Sequence, residues 1–258
     1  MIHPILDRPE VQMVLFHPRR EPAGYGMPGV RRIAVEVGAG VSIGGRLYPA
    51  RRESPALLFF HGNGEIAADY DDLAPLYTQL NITLIVMDYR GYGASTGAPT
   101  AANLRADAVV VSKQLRRIFQ ENDLAPSRYF VMGRSLGSAA AIEVARKTPE
   151  DLAGLIIESG FADTFALLAR LGIRLRGADE DRDGFGNLSK IGQVTTRTLI
   201  MHGEADVLIP PSDGQALYAH SASGDKRLVL IPGAGHNDIL MVGMAQYFEA
   251  IREFVNRA

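Results

Sequence analysis

A serine flanked by glycines, Gly133-Arg134-Ser135-Leu136-Gly137, stands where the apolar run Tyr-Phe-Val-Met gives way to an alanine-rich stretch. In a tight strand-to-helix turn a serine backbone is strained, and glycines on either side remove the Cβ clashes that such a turn creates. The turn would project Oγ from the top of a sheet. It would also set the Leu136 N–H, in the first turn of the helix, against a developing oxyanion. An ordinary capping serine is the alternative, and the strand–turn–helix context favours a nucleophile. A serine hydroxyl needs a base at neutral pH, and the base needs an orienting acid. Asp206 closes His202-Gly203-Glu204-Ala205-Asp206 after the run Thr198–Met201, and His236 sits in Gly233-Ala234-Gly235-His236-Asn237-Asp238 after Leu228–Ile231. Each alone reads as a loop carboxylate or a turn histidine. Together, after successive strands and in the order Ser, Asp, His, they read as acid and base. Glu158, the last residue of the run Gly154–Glu158, is the rival acid.

A fourth segment, Phe60-His61-Gly62-Asn63-Gly64-Glu65, follows the run Ala-Leu-Leu-Phe. Its glycines allow close backbone approach to a carbonyl, so the Asn63 N–H is the candidate second oxyanion donor. His61 reads as a structural turn residue, and the glycine-rich Asp88–Ser95 as a loop bracing the site. Asp179-Glu180-Asp181-Arg182-Asp183-Gly184 matches the first half of a calcium loop, with Asn187 at a later ligand position. Lys190 stands where the bidentate glutamate belongs, so a solvated acidic loop is preferred and no metal is expected.

Positioning these residues requires strands and helices in alternation. The runs Ile33–Val37, Val41–Ala50, Ala56–His61, Ile82–Asp88, Tyr129–Gly133, Gly154–Glu158, Thr198–His202 and Arg227–Ile231 read as strands. The middle ones are continuously apolar, the signature of strands covered on both faces. Gly44-Gly45 suggests a hairpin or bulge in an antiparallel start. Helical patterns occupy Asp71–Leu80, Ala101–Phe119, Leu136–Lys147, Asp163–Arg176 and Ile239–Asn256. This alternation predicts a three-layer α/β sandwich on a mostly parallel, eight-stranded sheet, with the chemistry beyond the strands' carboxyl ends. Residues 1–258 are expected to form one domain, with an arm at 1–30 and a short lid insertion at about 161–196. In that lid Phe165, Leu168, Leu171 and Leu175 form either an apolar wall over the pocket or a stripe packed on the sheet, the latter preferred.

The chain has 258 residues, 47% apolar and 22% charged, with no cysteine and a formal net charge of −2. The lack of cysteine excludes disulfide scaffolds, thiol nucleophiles and thiolate metal sites. A near-neutral charge argues against nucleic acid as a partner. Apolar runs as short as Pro55–Phe60 cannot span a membrane. The N-terminal MIHPILDRPE shows no secretory signal, so a cytoplasmic location is expected.

The segments His61–Gly64, Asp88–Thr96, Gly133–Ser138, His202–Pro210 and Gly233–Asp238 together resemble the α/β-hydrolase superfamily. From about Ile33 onward the chain is similar to single-domain serine hydrolases of the α/β-hydrolase-domain depalmitoylase and esterase type. The resemblance implies Ser135 as nucleophile, Asp206 and His236 as its partners, and the Leu136 and Asn63 amides as the oxyanion hole. It also implies a small-molecule carboxylic ester or thioester substrate and no cofactor. The cysteine-rich N-terminus of the animal depalmitoylases has no counterpart here. Dehalogenases and epoxide hydrolases are disfavoured, because they carry an aspartate where Ser135 stands. Peptidase, other acyl-transfer and C–C bond hydrolase chemistry share the triad and stay open, with a non-catalytic binding protein as the remaining reading.

Overall fold

A computed structural model of the chain describes residues 5–22 and 29–257. Strands β1 (Arg31–Gly38) and β2 (Val41–Tyr48) form an antiparallel hairpin, followed by β3 (Ala56–Phe60), β4 (Thr83–Met87), β5 (Tyr129–Arg134), β6 (Gly154–Glu158), β7 (Thr198–Gly203) and β8 (Lys226–Ile231). They make one sheet in the order β1-β2-β4-β3-β5-β6-β7-β8. Strand β2 is antiparallel to both neighbours, and every pairing from β4 to β8 is parallel.

The continuously apolar strands are buried on both faces, as their composition predicts. Along β3, Leu58 and Phe60 enter one core while Leu57 and Phe59 enter the other, and β4 splits Ile85 and Met87 from Leu84 and Val86 in the same way. Burying each such side chain stabilises the fold by about 1.5–3 kcal/mol. Gly44 and Gly45 are neither turn nor bulge. They lie within β2, where a Cβ on Gly44 would come within 2.9 Å of Ala94 Cβ and one on Gly45 within 2.6 Å of Val86 O. The hairpin turns at Gly40, with φ +70°, and the register shift falls between Glu36 and Gly38.

Ten helices are described: α1 (Pro9–Leu15), α2 (Ala74–Gln79), α3 (Ala101–Lys113), α4 (Leu115–Glu121), α5 (Gly137–Lys147), α6 (Thr164–Arg170), α7 (Glu180–Asp183), α8 (Asn187–Ile191), α9 (Pro211–His220) and α10 (Ile239–Asn256). Helices α3 and α5 pack on one face through Leu104, Val111 and Ile142, and α10 packs on the other through Tyr247, Ile251 and Phe254. The expected helix at 71–80 begins with a 3₁₀ turn (Ala67–Tyr70) and resumes as α2. The one at 101–119 breaks at Gln114 into α3 and α4. The stretch expected to run to Arg176 stops at Arg170, because Gly172 takes φ +93°. Helices α1, α7, α8 and α9 were not anticipated. Among the described residues no helix is long and apolar enough to cross a membrane.

Of the arm expected at 1–30, residues 1–4 and 23–28 lie outside the described residues. Residues 5–22 pack along the top of the sheet, with Leu6, Val11 and Leu15 buried in the α3–α5 core. Gly93 N donates to Arg19 O at 2.8 Å, and Glu21 forms ion pairs with Arg32 and with the buried Arg46. Arg46 is held from its other side by Asp71, whose Oδ1 accepts from Tyr48 OH at 2.7 Å.

Candidate active site

The turn after β5 holds Ser135 at φ +52°, a left-handed conformation that costs a non-glycine residue about 1–2 kcal/mol. Two contacts hold it there: Ser135 N donates to Glu158 O at 2.9 Å, and Ser138 Oγ donates to Ser135 O at 2.6 Å. Both flanking glycines are required by close approach. A Cβ on Gly133 would overlap Gly137 O, and one on Gly137 would overlap Phe60 O and lie 2.8 Å from His61 O. Helix α5 starts directly behind the serine, so its partial positive end faces the hydroxyl.

Asp206 and His236, on the loops after β7 and β8, are brought to this serine. His236 Nε2 lies 3.0 Å from Ser135 Oγ, and its Nδ1 lies 2.7 Å from Asp206 Oδ2. Asp206 is fully buried. Burial alone would raise its carboxyl, but hydrogen bonds from His202 and His236, with the Ile209 amide, outweigh it and hold the group far below the usual carboxylate range. Asp206 Oδ1 takes the amides of Leu208 and Ile209 at 3.0 and 2.8 Å. His202, also fully buried, lies under the carboxylate with Nε2 2.7 Å from Ile209 O and 3.4 Å from Asp206 Oδ2. An aspartate so held is an anion, and with His236 Nδ1–H donating to it, Nε2 is left as an acceptor toward the serine.

Glu158 is not placed as the rival acid. Its Oε1 accepts from Arg134 Nε at 3.1 Å and its Oε2 from Tyr247 OH at 2.7 Å, so both oxygens are engaged away from His236 Nδ1. Burial pushes the Glu158 carboxyl up, against the pull of Arg134 and Tyr247.

Leu136 and Asn63 line the same cavity as Ser135, and among the described residues neither backbone N–H donates to a protein acceptor. The Asn63 side chain is fixed from the arm: its Oδ1 accepts from His17 N at 2.9 Å and Tyr92 OH at 2.8 Å, and its Nδ2 lies 2.8 Å from His17 Nδ1. His61 is buried between Tyr89 and Tyr92, with Nδ1 2.8 Å from Gly62 O.

The cavity over Ser135 has a volume of about 240 Å³. Val14, Leu15, Leu167, Leu171 and Leu208 supply its apolar lining, and His17, Asn63, Arg134 and Asn237 its polar part. The stripe expected across the lid is thus divided: Leu171 faces the cavity, whereas Leu168 is fully buried in the core. Leu167, the arm residues and Arg134 escaped the sequence reading. A signal for Arg134 existed. It ends one buried strand, pairs in parallel register with Glu158 at the end of the next, and charges so placed must find partners.

The candidate calcium segment is folded as helix. Asp179 Oδ1 caps α7 by accepting from Arg182 N, Asp183 pairs with Arg182, and Glu180 accepts from Thr164 N, Thr164 Oγ1 and Gly186 N. Asn187 is fully buried and donates to Phe161 O at 2.9 Å. These side chains serve the fold instead of converging on a cation.

The chain matches the sequence profile of the family described as "Serine aminopeptidase, S33" over residues 52–178 and 184–240. It is 30% identical to an uncharacterised protein of Mycobacterium tuberculosis over 237 residues, 89% of this chain and 80% of that one. It is 32% identical to the human alpha/beta hydrolase domain-containing protein 17B over 209 residues, 78% of this chain and 66% of that one. Among solved structures, the Pyrococcus furiosus esterase Pf2001 superposes with a TM-score of 0.75 at 15% identity, covering 94% of this chain and 97% of the esterase. A soluble variant of the Saccharomyces cerevisiae monoglyceride lipase superposes with a TM-score of 0.70 at 16% identity, covering 92% and 98%. With the eight-stranded sheet and the serine turn after β5, these likenesses make the chain a small member of the α/β-hydrolase superfamily, belonging to its serine aminopeptidase S33 family.

Proposed function

We propose that the protein is a serine hydrolase that cleaves carboxylic ester or thioester bonds through an acyl-enzyme on Ser135. The observation that carries this reading is the unbroken chain from Ser135 Oγ to His236 Nε2 at 3.0 Å and from His236 Nδ1 to Asp206 at 2.7 Å, on a serine held at positive φ behind a helix N-terminus. His236 takes the Ser135 proton as Oγ attacks the carbonyl carbon, and the C=O electron pair moves onto oxygen. The Leu136 and Asn63 amides bind that oxyanion, and loss of one such donor raises the barrier by roughly 3 kcal/mol. Asp206 holds the imidazole tautomer and balances the imidazolium. Collapse expels the alcohol or thiol, which takes the proton from His236. Water, deprotonated by His236, then attacks the acyl-enzyme, releases the acid and returns the proton to Ser135.

The cavity supports small to medium, uncharged acyl groups. Its volume of about 240 Å³ lies below the ~300–1,000 Å³ typical of sites that enclose a drug-sized ligand, and leucine and valine make up its apolar wall. The family's description raises a second reading, release of N-terminal residues from peptides. Among the described residues that line the cavity none is a carboxylate, and Arg134 is among them. A protonated α-amine would therefore find no carboxylate on the cavity wall to pair with, which favours esters and thioesters. The names of the Pyrococcus esterase and the yeast lipase lean the same way.

Fluorophosphonate labelling with intact-mass readout, on wild type and Ser135→Ala, tests the nucleophile. A single adduct that is lost in the variant is expected; no adduct on folded wild type would overturn the proposal. Turnover of acetyl through decanoyl p-nitrophenyl esters beside aminoacyl p-nitroanilides then separates the two readings. Preference for the anilides would reverse the choice.

A further inference from the structure

Arg134 precedes the serine, and its guanidinium reaches the end of β6, the Gly62–Glu65 turn and the His236 loop. Nε donates to Glu158 Oε1 at 3.1 Å, on the strand whose last carbonyl holds Ser135 N. Nη1 pairs with Glu65 Oε1. Nη2 donates to His236 O at 2.8 Å and to Asn237 Oδ1 at 3.1 Å. Glu65 in turn uses Oε2 to accept from Gly62 N at 2.8 Å and Tyr70 OH at 2.7 Å, which fixes the turn whose next amide is that of Asn63. Gly62 is glycine for this reason: a Cβ there would lie 2.5 Å from the guanidinium and 3.0 Å from Glu65 Oε1. The far side is closed by Tyr247 on Glu158 and by Tyr77, whose hydroxyl lies 3.2 Å from that of Tyr247.

We propose that Arg134 is a positioning residue that locks the His236 loop and the Gly62–Asn63 oxyanion turn onto the Ser135 turn at the same time. The inference rests on the acyl-enzyme reading above. The fork geometry of a guanidinium makes this possible, since its five N–H groups point outward in one plane from three nitrogens; an ammonium holds its three donors on a single atom and cannot span partners so far apart. The side chain is only 12% exposed and sits against two carboxylates, so its bonds are shielded from water and salt. It touches no reacting atom. Its effect is on where two reacting partners sit, and a displacement of about 1 Å in such a partner costs on the order of 10² in rate.

The test is kcat and KM for a p-nitrophenyl acyl ester, with active sites counted by fluorophosphonate titration, on wild type, Arg134→Ala and Arg134→Lys. Expected for Arg134→Ala is a fall of about 100-fold in kcat per titrated site, with KM within about threefold. Methylguanidinium at millimolar concentration should restore part of kcat by filling the gap between Glu65 and Glu158, and should leave Ser135→Ala inert. Arg134→Lys keeps a cation between the two carboxylates and so preserves folding, yet should lose at least tenfold in kcat. Should Arg134→Ala fail to fold, the lysine variant decides alone. Wild-type kcat per site in Arg134→Lys would overturn the proposal. So would a loss in Arg134→Ala that vanishes when rates are divided by titrated sites. Absence of any adduct on wild type is a different failure, that of the acyl-enzyme reading itself.

Discussion

Replacing Asp206 by asparagine probes the site at its most determined atom. The two carboxylate oxygens are not equivalent: Oδ1 accepts the amides of Leu208 and Ile209, whereas Oδ2 faces His236 Nδ1. An asparagine must place its carbonyl oxygen where two N–H groups point, because its NH₂ there would leave three donors facing one another in a buried site. The NH₂ therefore falls at Oδ2, 2.7 Å from His236 Nδ1. A donor at that spot selects the other tautomer of His236, with the proton on Nε2 and nothing to accept from Ser135 Oγ. The wrong tautomer in a serine triad costs on the order of 10⁴ in kcat, or roughly 5 kcal/mol in the barrier. Stability should change by only about 1–2 kcal/mol, because the amide bonds to Oδ1 persist. Ester turnover and fluorophosphonate inactivation on Asp206→Asn, with denaturant unfolding as a control, measure both quantities. A variant that keeps a tenth or more of wild-type kcat would mean that another group orients the histidine, and the reasoning would fall.

Gly137→Ala inserts a Cβ against the backbone oxygen of Phe60, which cannot rotate away; a loss of about 1–3 kcal/mol in stability and of at least 100-fold in kcat is expected, and a fully active variant would refute the close-approach argument. Leu15→Ala opens the cavity from the arm; it should cost about 2–4 kcal/mol by thermal unfolding and shift the preferred p-nitrophenyl ester toward longer chains, and an unchanged profile would show that the arm does not bound the acyl group. Burial pushes the Glu180 carboxyl up to about 7 against its bonds from Thr164 and Gly186, so the folded chain keeps a proton that the unfolded chain releases near pH ~4. Stability from this group is therefore withdrawn as pH rises from about 4 through 7, by on the order of 2 kcal/mol after allowance for partial exposure, and Glu180→Gln should flatten that slope in unfolding curves at pH 5–8. An identical slope in the variant would count against it.

The sheet was legible because a strand covered on both faces is apolar along its length, and Ala56–Phe60, Leu84–Met87 and Leu199–Met201 are. The serine, the aspartate and the histidine were legible for a related reason: polar residues directly after such runs have few places to go except the carboxyl edge. Helix α1 was not, since seven residues with Pro9 at the start carry too little periodicity to stand out from a loop. The lid stripe was half read, because Leu168 and Leu171 share a helical face in sequence while Gly172 ends the helix and turns Leu171 toward the cavity. The Arg134 bonds lay beyond pattern reading altogether. They join residues 69, 24 and 102 positions apart, and only the strand order brings those together.

The wide separation of the site's parts has a consequence for the chain as it is made. Ser135 and His236 are 101 residues apart, so at roughly 5–20 residues per second the serine leaves the ribosome about 5–20 s before the histidine. The arm is made earlier still, but the partners that clamp His17 lie 46 and 75 residues further on. Strands β7 and β8, whose following loops carry Asp206 and His236, are the last made and form one edge of the sheet. On the acyl-enzyme reading, a nascent or truncated chain has a hydroxyl without a base until the loop after β8 is made. On the same reading, any fragment ending before residue 236 lacks the proposed base whatever its degree of folding.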